Sequence, residues 1–119
     1  MRLLILPTHL SGGFATTKDS FHKDGRSFLK RLQNVLGVPG RVSSNKAGEA
    51  VYGDVRLKAE AFEVVLLTDS VRGTWADIKV LYRKRLSSGN IEGTGLNQWT
   101  TLKEIEADPE AFLAKIKAL

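Results

Sequence analysis

The stretch Val51-Tyr52-Gly53-Asp54-Val55-Arg56-Leu57-Lys58-Ala59, followed after two residues by Phe62-Glu63-Val64-Val65-Leu66-Leu67, decides the fold. In the first segment Val51, Val55, Leu57 and Ala59 alternate with Tyr52, Asp54, Arg56 and Lys58. A period of two with one apolar side predicts a strand over residues 50–59 with one buried face. The second segment is a short, nearly continuous apolar run, which suits a central strand. Further on, Ile78, Val80 and Tyr82 alternate with Asp77, Lys79, Leu81, Arg83 and Arg85, predicting another strand over residues 76–86. The connections are too short for helical crossovers, so the strands are expected to pair as an antiparallel meander.

Helical signals flank this β region. Phe21, Phe28, Leu29, Leu32, Val35 and Leu36 recur at helical spacing and predict a helix over residues 20–36. Asp19 stands where an N-cap belongs, and Gly37 followed by Pro39 stops the helix. Gly25 lies on the apolar stripe, a place for close backbone packing. Residues 42–45 read as a short strand, and residues 99–105 as a strand or turn with Trp99 in the core. Asp108 as N-cap, Pro109 at the first helical position and Glu110 in the first turn open a last helix. Its stripe is Phe112, Leu113, Ile116 and Leu119. Residues 87–98 hold three Gly, two Asn and two Ser and read as a mobile loop. The expectation is one α+β domain over residues 1–119: an N-terminal arm (1–18), a helix, a three- to four-stranded antiparallel sheet, and a C-terminal helix packed on one sheet face.

The totals narrow the function. With 119 residues and 42% hydrophobic composition, the chain is long enough to bury one core without a metal or disulfide. It has no cysteine, which excludes a disulfide framework, a zinc ribbon and thiol catalysis, and fits a reducing, cytoplasmic compartment. No apolar run approaches the ~20 residues of a membrane span. The signal-like opening Met1-Arg2-Leu3-Leu4-Ile5-Leu6 stops at Pro7, so residues 3–6 read as a strand or packed arm. The net charge is +5, and 15 of the 18 basic but 9 of the 13 acidic residues lie in residues 1–100. That imbalance points to a polyanionic partner, DNA or RNA.

The blocks Phe21-His22-Lys23-Asp24-Gly25-Arg26-Ser27-Phe28-Leu29, Ser44-Asn45-Lys46-Ala47-Gly48, Gly53-Asp54-Val55-Arg56-Leu57, Leu81-Tyr82-Arg83 and Asn97-Gln98-Trp99 resemble small uncharacterised proteins of bacterial plasmids and integrated elements. The resemblance spans residues 21–102 in scattered pieces. It implies a bacterial or phage accessory gene and carries no assigned activity. The helix–strands–helix order is also similar to the double-stranded RNA-binding fold. That family sets basic residues at the start of its second helix, where this chain has Asp108, Pro109 and Glu110.

The leading candidate site is a basic sheet face. Arg56 and Lys58 share one side of their strand, and Lys79, Arg83 and Arg85 one side of theirs, with Tyr52 expected on the same face as a stacking platform. Arg26 and Lys30, on the positive side of the first helix, are expected to add a second phosphate-binding face. An alternative partner is a protein complex of the host, blocked by an inhibitor of the anti-defence kind, with Trp75 as anchor. A third reading is a metal-dependent nuclease built on Asp54 and Asp77-Ile78-Lys79, with Glu63 as a third acid. The pattern is short, and no nucleophile motif, cofactor motif or metal cluster accompanies it, so the expectation is a protein that is not an enzyme and uses no cofactor. His22 is expected to cap or pack, and His9 lies in the arm. The loop Gly89-Asn90-Ile91-Glu92-Gly93-Thr94-Gly95 lacks a P-loop ending and reads as a hairpin connection.

Overall fold

The computed structural model describes residues 17–47, 52–68, 78–85 and 97–119. Helix α1 (Lys18–Leu36) precedes strands β1 (Gly40–Asn45), β2 (Asp54–Ala59), β3 (Phe62–Leu67), β4 (Lys79–Lys84) and β5 (Asn97–Thr101), followed by helices α2 (Leu102–Ala107) and α3 (Pro109–Lys117). The five strands form one sheet in sequence order, every neighbouring pair antiparallel. The architecture is α+β as expected, with five strands where three to four are expected; the polar β5, read as a strand or a turn, makes the difference. The continuous apolar run is β3, the middle strand. Residues 1–16, Trp75, Asp77 and the 87–96 part of the expected loop lie outside the described residues.

Helix α1 begins earlier than the sequence suggests. Thr17, not Asp19, is its N-cap: the Thr17 hydroxyl accepts from the Ser20 N–H at 3.1 Å, and the Ser20 hydroxyl accepts from the Thr17 N–H at 2.9 Å. This reciprocal pair satisfies donors that the first helical turn leaves without partners. Gly37 ends the helix in the left-handed conformation, its N–H reaching the carbonyl of Gln33 at 2.9 Å. The face between these caps buries Phe21, His22, Gly25, Phe28, Leu29 and Leu32. Each fully buried Leu or Phe contributes roughly 1.5–3 kcal/mol, so packing rather than propensity holds this helix. A Cβ on Gly25 would stand 3.2 Å from Val55 Cγ2 and 3.3 Å from Leu66 Cδ1, so the helix backbone lies close against the sheet.

Strand parity divides the sheet into two faces. Val55, Leu57 and Ala59 of β2, Phe62, Val64 and Leu66 of β3, and Val80 and Tyr82 of β4 point to the helices, joined by Ile78 just before β4. Leu102 and Ile105 of α2 and Phe112, Leu113 and Ile116 of α3 close the same core. Helix α3 starts as expected, with Asp108 Oδ1 accepting from the Ala111 N–H at 3.1 Å and Pro109 in the first turn. Among the described residues, no helix is long and apolar enough to cross a membrane.

Strand β2 starts at Asp54 rather than at residue 50, because Gly53 has φ +82°. A Cβ there would collide with the Asn45 carbonyl oxygen at the end of β1. Gly37 is also left-handed, at φ +66°, but nothing lies within 4 Å of its would-be Cβ. The two glycines therefore separate strain from collision. Gly37→Ala should lose about 1 kcal/mol, the cost of a left-handed L-residue. Gly53→Ala adds a backbone clash and should lose at least about 2 kcal/mol in urea unfolding. Equal losses would mean that the β1–β2 connection shifts freely.

Candidate nucleic-acid interface

The sheet face turned away from the helices carries the charged side chains. The strand registers set them in three rows. Arg41, Lys58, Glu63, Arg83 and Asn97 form the first, Ser43, Arg56, Val65, Leu81 and Trp99 the second, and Asn45, Asp54, Leu67, Lys79 and Thr101 the third. Arg56, Lys58, Lys79 and Arg83 thus share one face, as the alternation predicts.

The structure adds a network that spacing alone does not reveal. Glu63 is fully buried in the middle strand. Its Oε1 accepts from Arg83 Nη2 at 2.7 Å and Nε at 3.2 Å, and its Oε2 lies 3.5 Å from Arg56 Nη1. Arg56 Nη2 and Nε each lie 3.1 Å from Oδ1 of Asp54, itself buried. Arg83 Nη1 also donates to Asn97 Oδ1 at 3.3 Å. Two arginines and two acids therefore neutralise one another across β2, β3 and β4. Val65 and Leu81, beside them, are also buried, although they lie outside the core cluster. The exposed cations sit at the margins: Arg41 and Lys58 at the β1–β2 end, Lys79 at the start of β4.

One of the expected positions falls elsewhere. Tyr52 is not a platform on this face. It precedes the turn at Gly53, which breaks the alternation. Its ring packs 6.1 Å from that of Phe21 on the helix side, and its carbonyl accepts from His22 Nε2 at 2.6 Å. Arg26 and Lys30 lie on α1, which covers the opposite face: Arg26 donates to Ser44 Oγ at 2.9 Å, and Lys30 is exposed. Arg85 is half-buried and donates to the Ala59 carbonyl at 2.6 Å, bracing the β2–β3 turn.

Trp99 is the residue that sequence reasoning misplaced. It is 54% exposed, not core. Register explains it: Trp99 pairs with Leu81, whereas Thr100 pairs with the core residue Val80. Trp99 therefore stands on the charged face, with Lys79 and Arg83 as its diagonal neighbours, a separation of about 7–8 Å. The run Asn97-Gln98-Trp99-Thr100-Thr101 has no apolar alternation from which to read this.

For the nuclease pattern, Asp54 is committed to Arg56 and Glu63 to both arginines. Among the described residues, no group of three or more acidic or histidine side chains is arranged to hold a metal ion. His22 packs, as expected, edge-on to Phe21 with ring centroids 5.1 Å apart.

No family model, curated protein or solved structure matches this chain.

The Glu63 network makes a stability prediction. Glu63→Gln leaves two guanidinium groups facing each other without their shared anion. It should cost about 2–4 kcal/mol in chemical denaturation, somewhat below a fully dry pair because both arginines keep some water contact. Asp19→Asn, which breaks the exposed 3.2 Å pair with Lys46, should leave stability unchanged within error. If both variants behave alike, the buried carboxylate contributes nothing special.

Proposed function

We propose that the protein binds single-stranded nucleic acid along the β4–β5 side of its outer sheet face. The observation that carries this reading is the exposed indole of Trp99 on the same face as Lys79. An exposed aromatic ring stacks on an unpaired base, and a neighbouring ammonium group neutralises a phosphate. Lys58 and Arg41 continue the positive track towards the far edge of the sheet. Asn97 and Thr101 flank the indole and offer hydrogen bonds to sugar or base edges. The net charge of +5 supports a polyanionic partner. The reading is of a binder without catalysis or cofactor. The resemblance of its short blocks to plasmid and integrated-element proteins supports an accessory role in the bacterial cytoplasm.

A protein partner is the second reading, and the same indole favours it, since exposed tryptophan is enriched at interface hot spots. Salt separates the two. Labelled single- and double-stranded DNA and RNA should be titrated with the protein at low and moderate salt. Single strands should bind best and weaken as salt rises. Trp99→Ala should cost about 1–3 kcal/mol of binding, and Lys79→Gln should lower the salt slope by about 0.7. Absence of binding at low salt, or binding indifferent to both substitutions, would sink the nucleic-acid reading and leave a host protein as the partner to seek.

A further inference from the structure

Strand β1 is an open edge of the sheet. Among the described residues β2 is its only strand neighbour. Alternate N–H and C=O groups along its six residues are therefore directed away from the sheet, with no strand to pair them. Arg41 stands exposed on the outer face of β1, and the strand itself contains no acid.

Helix α1 sets a second row of cations along this edge. Asp19, Lys23, Arg26, Lys30 and Gln33 recur at helical spacing and share one helix face. Three of them reach β1 or the residue after it. Lys46 Nζ donates to Asp19 Oδ1 at 3.2 Å, Arg26 Nη1 to Ser44 Oγ at 2.9 Å, and Gln33 Nε2 to the Gly40 carbonyl at 3.2 Å. These contacts advance along the helix as they retreat along the strand, so the row lies antiparallel to β1 and follows its length. Lys23 and Lys30 stand in the row between the anchors, both exposed. The acid of the row, Asp19, is met by Lys46. Arg26 spends one N–H on Ser44 and has further donors to offer.

The edge thus presents unpaired backbone between Lys23, Arg26 and Lys30 on the helix side and Arg41 on the outer side. Side chains of an added strand would point alternately to these two sides. Acids at every second position would meet the helix row in turn. Lys23 to Lys30 spans about 10 Å of helix, against about 13 Å between the first and third of three alternate strand positions, a difference that long side chains absorb. The same cations repel a second copy of this chain, whose net charge is +5. The opposite edge, β5, has no charged side chain and lies beside Glu104, which accepts from Thr100 Oγ1.

We propose that β1 takes an extended acidic segment of a partner protein as an added strand, with alternate carboxylates on Lys23, Arg26 and Lys30. The backbone supplies the pairing and the helix row selects the charge pattern. This edge lies across the sheet from Trp99, shares Arg41 alone with the proposed nucleic-acid track, and does not rest on that reading.

The whole chain should be titrated with a capped six-residue peptide of alternating Glu and Thr, matching the length of β1, while backbone amides are followed by NMR. Saturable shifts and slowed hydrogen exchange are expected at Gly40–Asn45, with the Trp99 indole N–H unmoved. Lys23→Gln and Lys30→Gln should each weaken binding by about 1.5- to 5-fold, the size of one exposed ion pair, with thermal melts unchanged. A peptide of the same composition with its Glu residues grouped at one end should bind less tightly. The alternating peptide N-methylated at its interior amides keeps its charge, loses its donors and should not bind. Undiminished binding by either control peptide, indifference to both lysine substitutions, or single-stranded DNA shifting the β1 amides where the peptide does not would overturn the proposal.

Discussion

The carboxylate of Glu63 sits in the middle strand between two arginines, with no exposed surface of its own. Burying a charge is costly, and an ion pair of this kind often stabilises a fold no more than well-packed apolar residues would. Its larger consequence here is register. A slip of one residue would turn every side chain of β3 to the opposite face. Glu63 would then enter the core lined by Phe112 and Leu113, and Phe62 and Val64 would meet Arg83 and Arg56. Correct pairing of β2, β3 and β4 is the arrangement in which this carboxylate finds both partners. The fully apolar remainder of β3 offers less discrimination between registers, so the one charged residue in the run carries much of that choice.

The same network decides what the outer face offers a ligand. Read from alternation, Arg56 and Arg83 are two more cations in a basic patch. Read from the structure, their charge is matched by Asp54 and Glu63, and the exposed groups of this face among the described residues include Lys58, Lys79, Arg41 and the indole of Trp99. In the proposed interface such a surface would rely on stacking and few phosphate contacts rather than on a dense positive field.

How much of this was legible in the sequence follows from the range of the forces involved. Residues 62–67 as the central strand, the inward set Ile78, Val80 and Tyr82, the Gly37 stop and the Asp108–Pro109 start all depend on contacts within a few residues, and all are legible. The N-cap at Thr17 was displaced by two residues because Asp19 and Thr17 both suit a cap, and only the Ser20 partnership distinguishes them. Gly53 hid the start of β2, since its need for positive φ arises from the Asn45 carbonyl, distant in sequence. Trp99 and the Glu63 network were not legible, because both depend on which residues face each other across strands. No local pattern in residues 97–101 states that Trp99 meets Leu81 rather than Val80.

That distinction also bounds how the proposed interface responds to salt. Each phosphate neutralised on a single strand contributes about 0.7 to the slope of log affinity against log salt. If Arg56 and Arg83 acted with Arg41, Lys58 and Lys79, five contacts would give a slope near −3.5, by the same relation. With both arginines held by Glu63 and Asp54, the three exposed cations of this face among the described residues, Arg41, Lys58 and Lys79, would give a slope of about −2. A measured slope near −2 that falls on Lys79→Gln and keeps its value on Arg83→Gln is therefore the expected pattern. A slope well above that value would mean that the ligand pulls the arginines away from Glu63, at the cost of leaving that buried carboxylate without its partners.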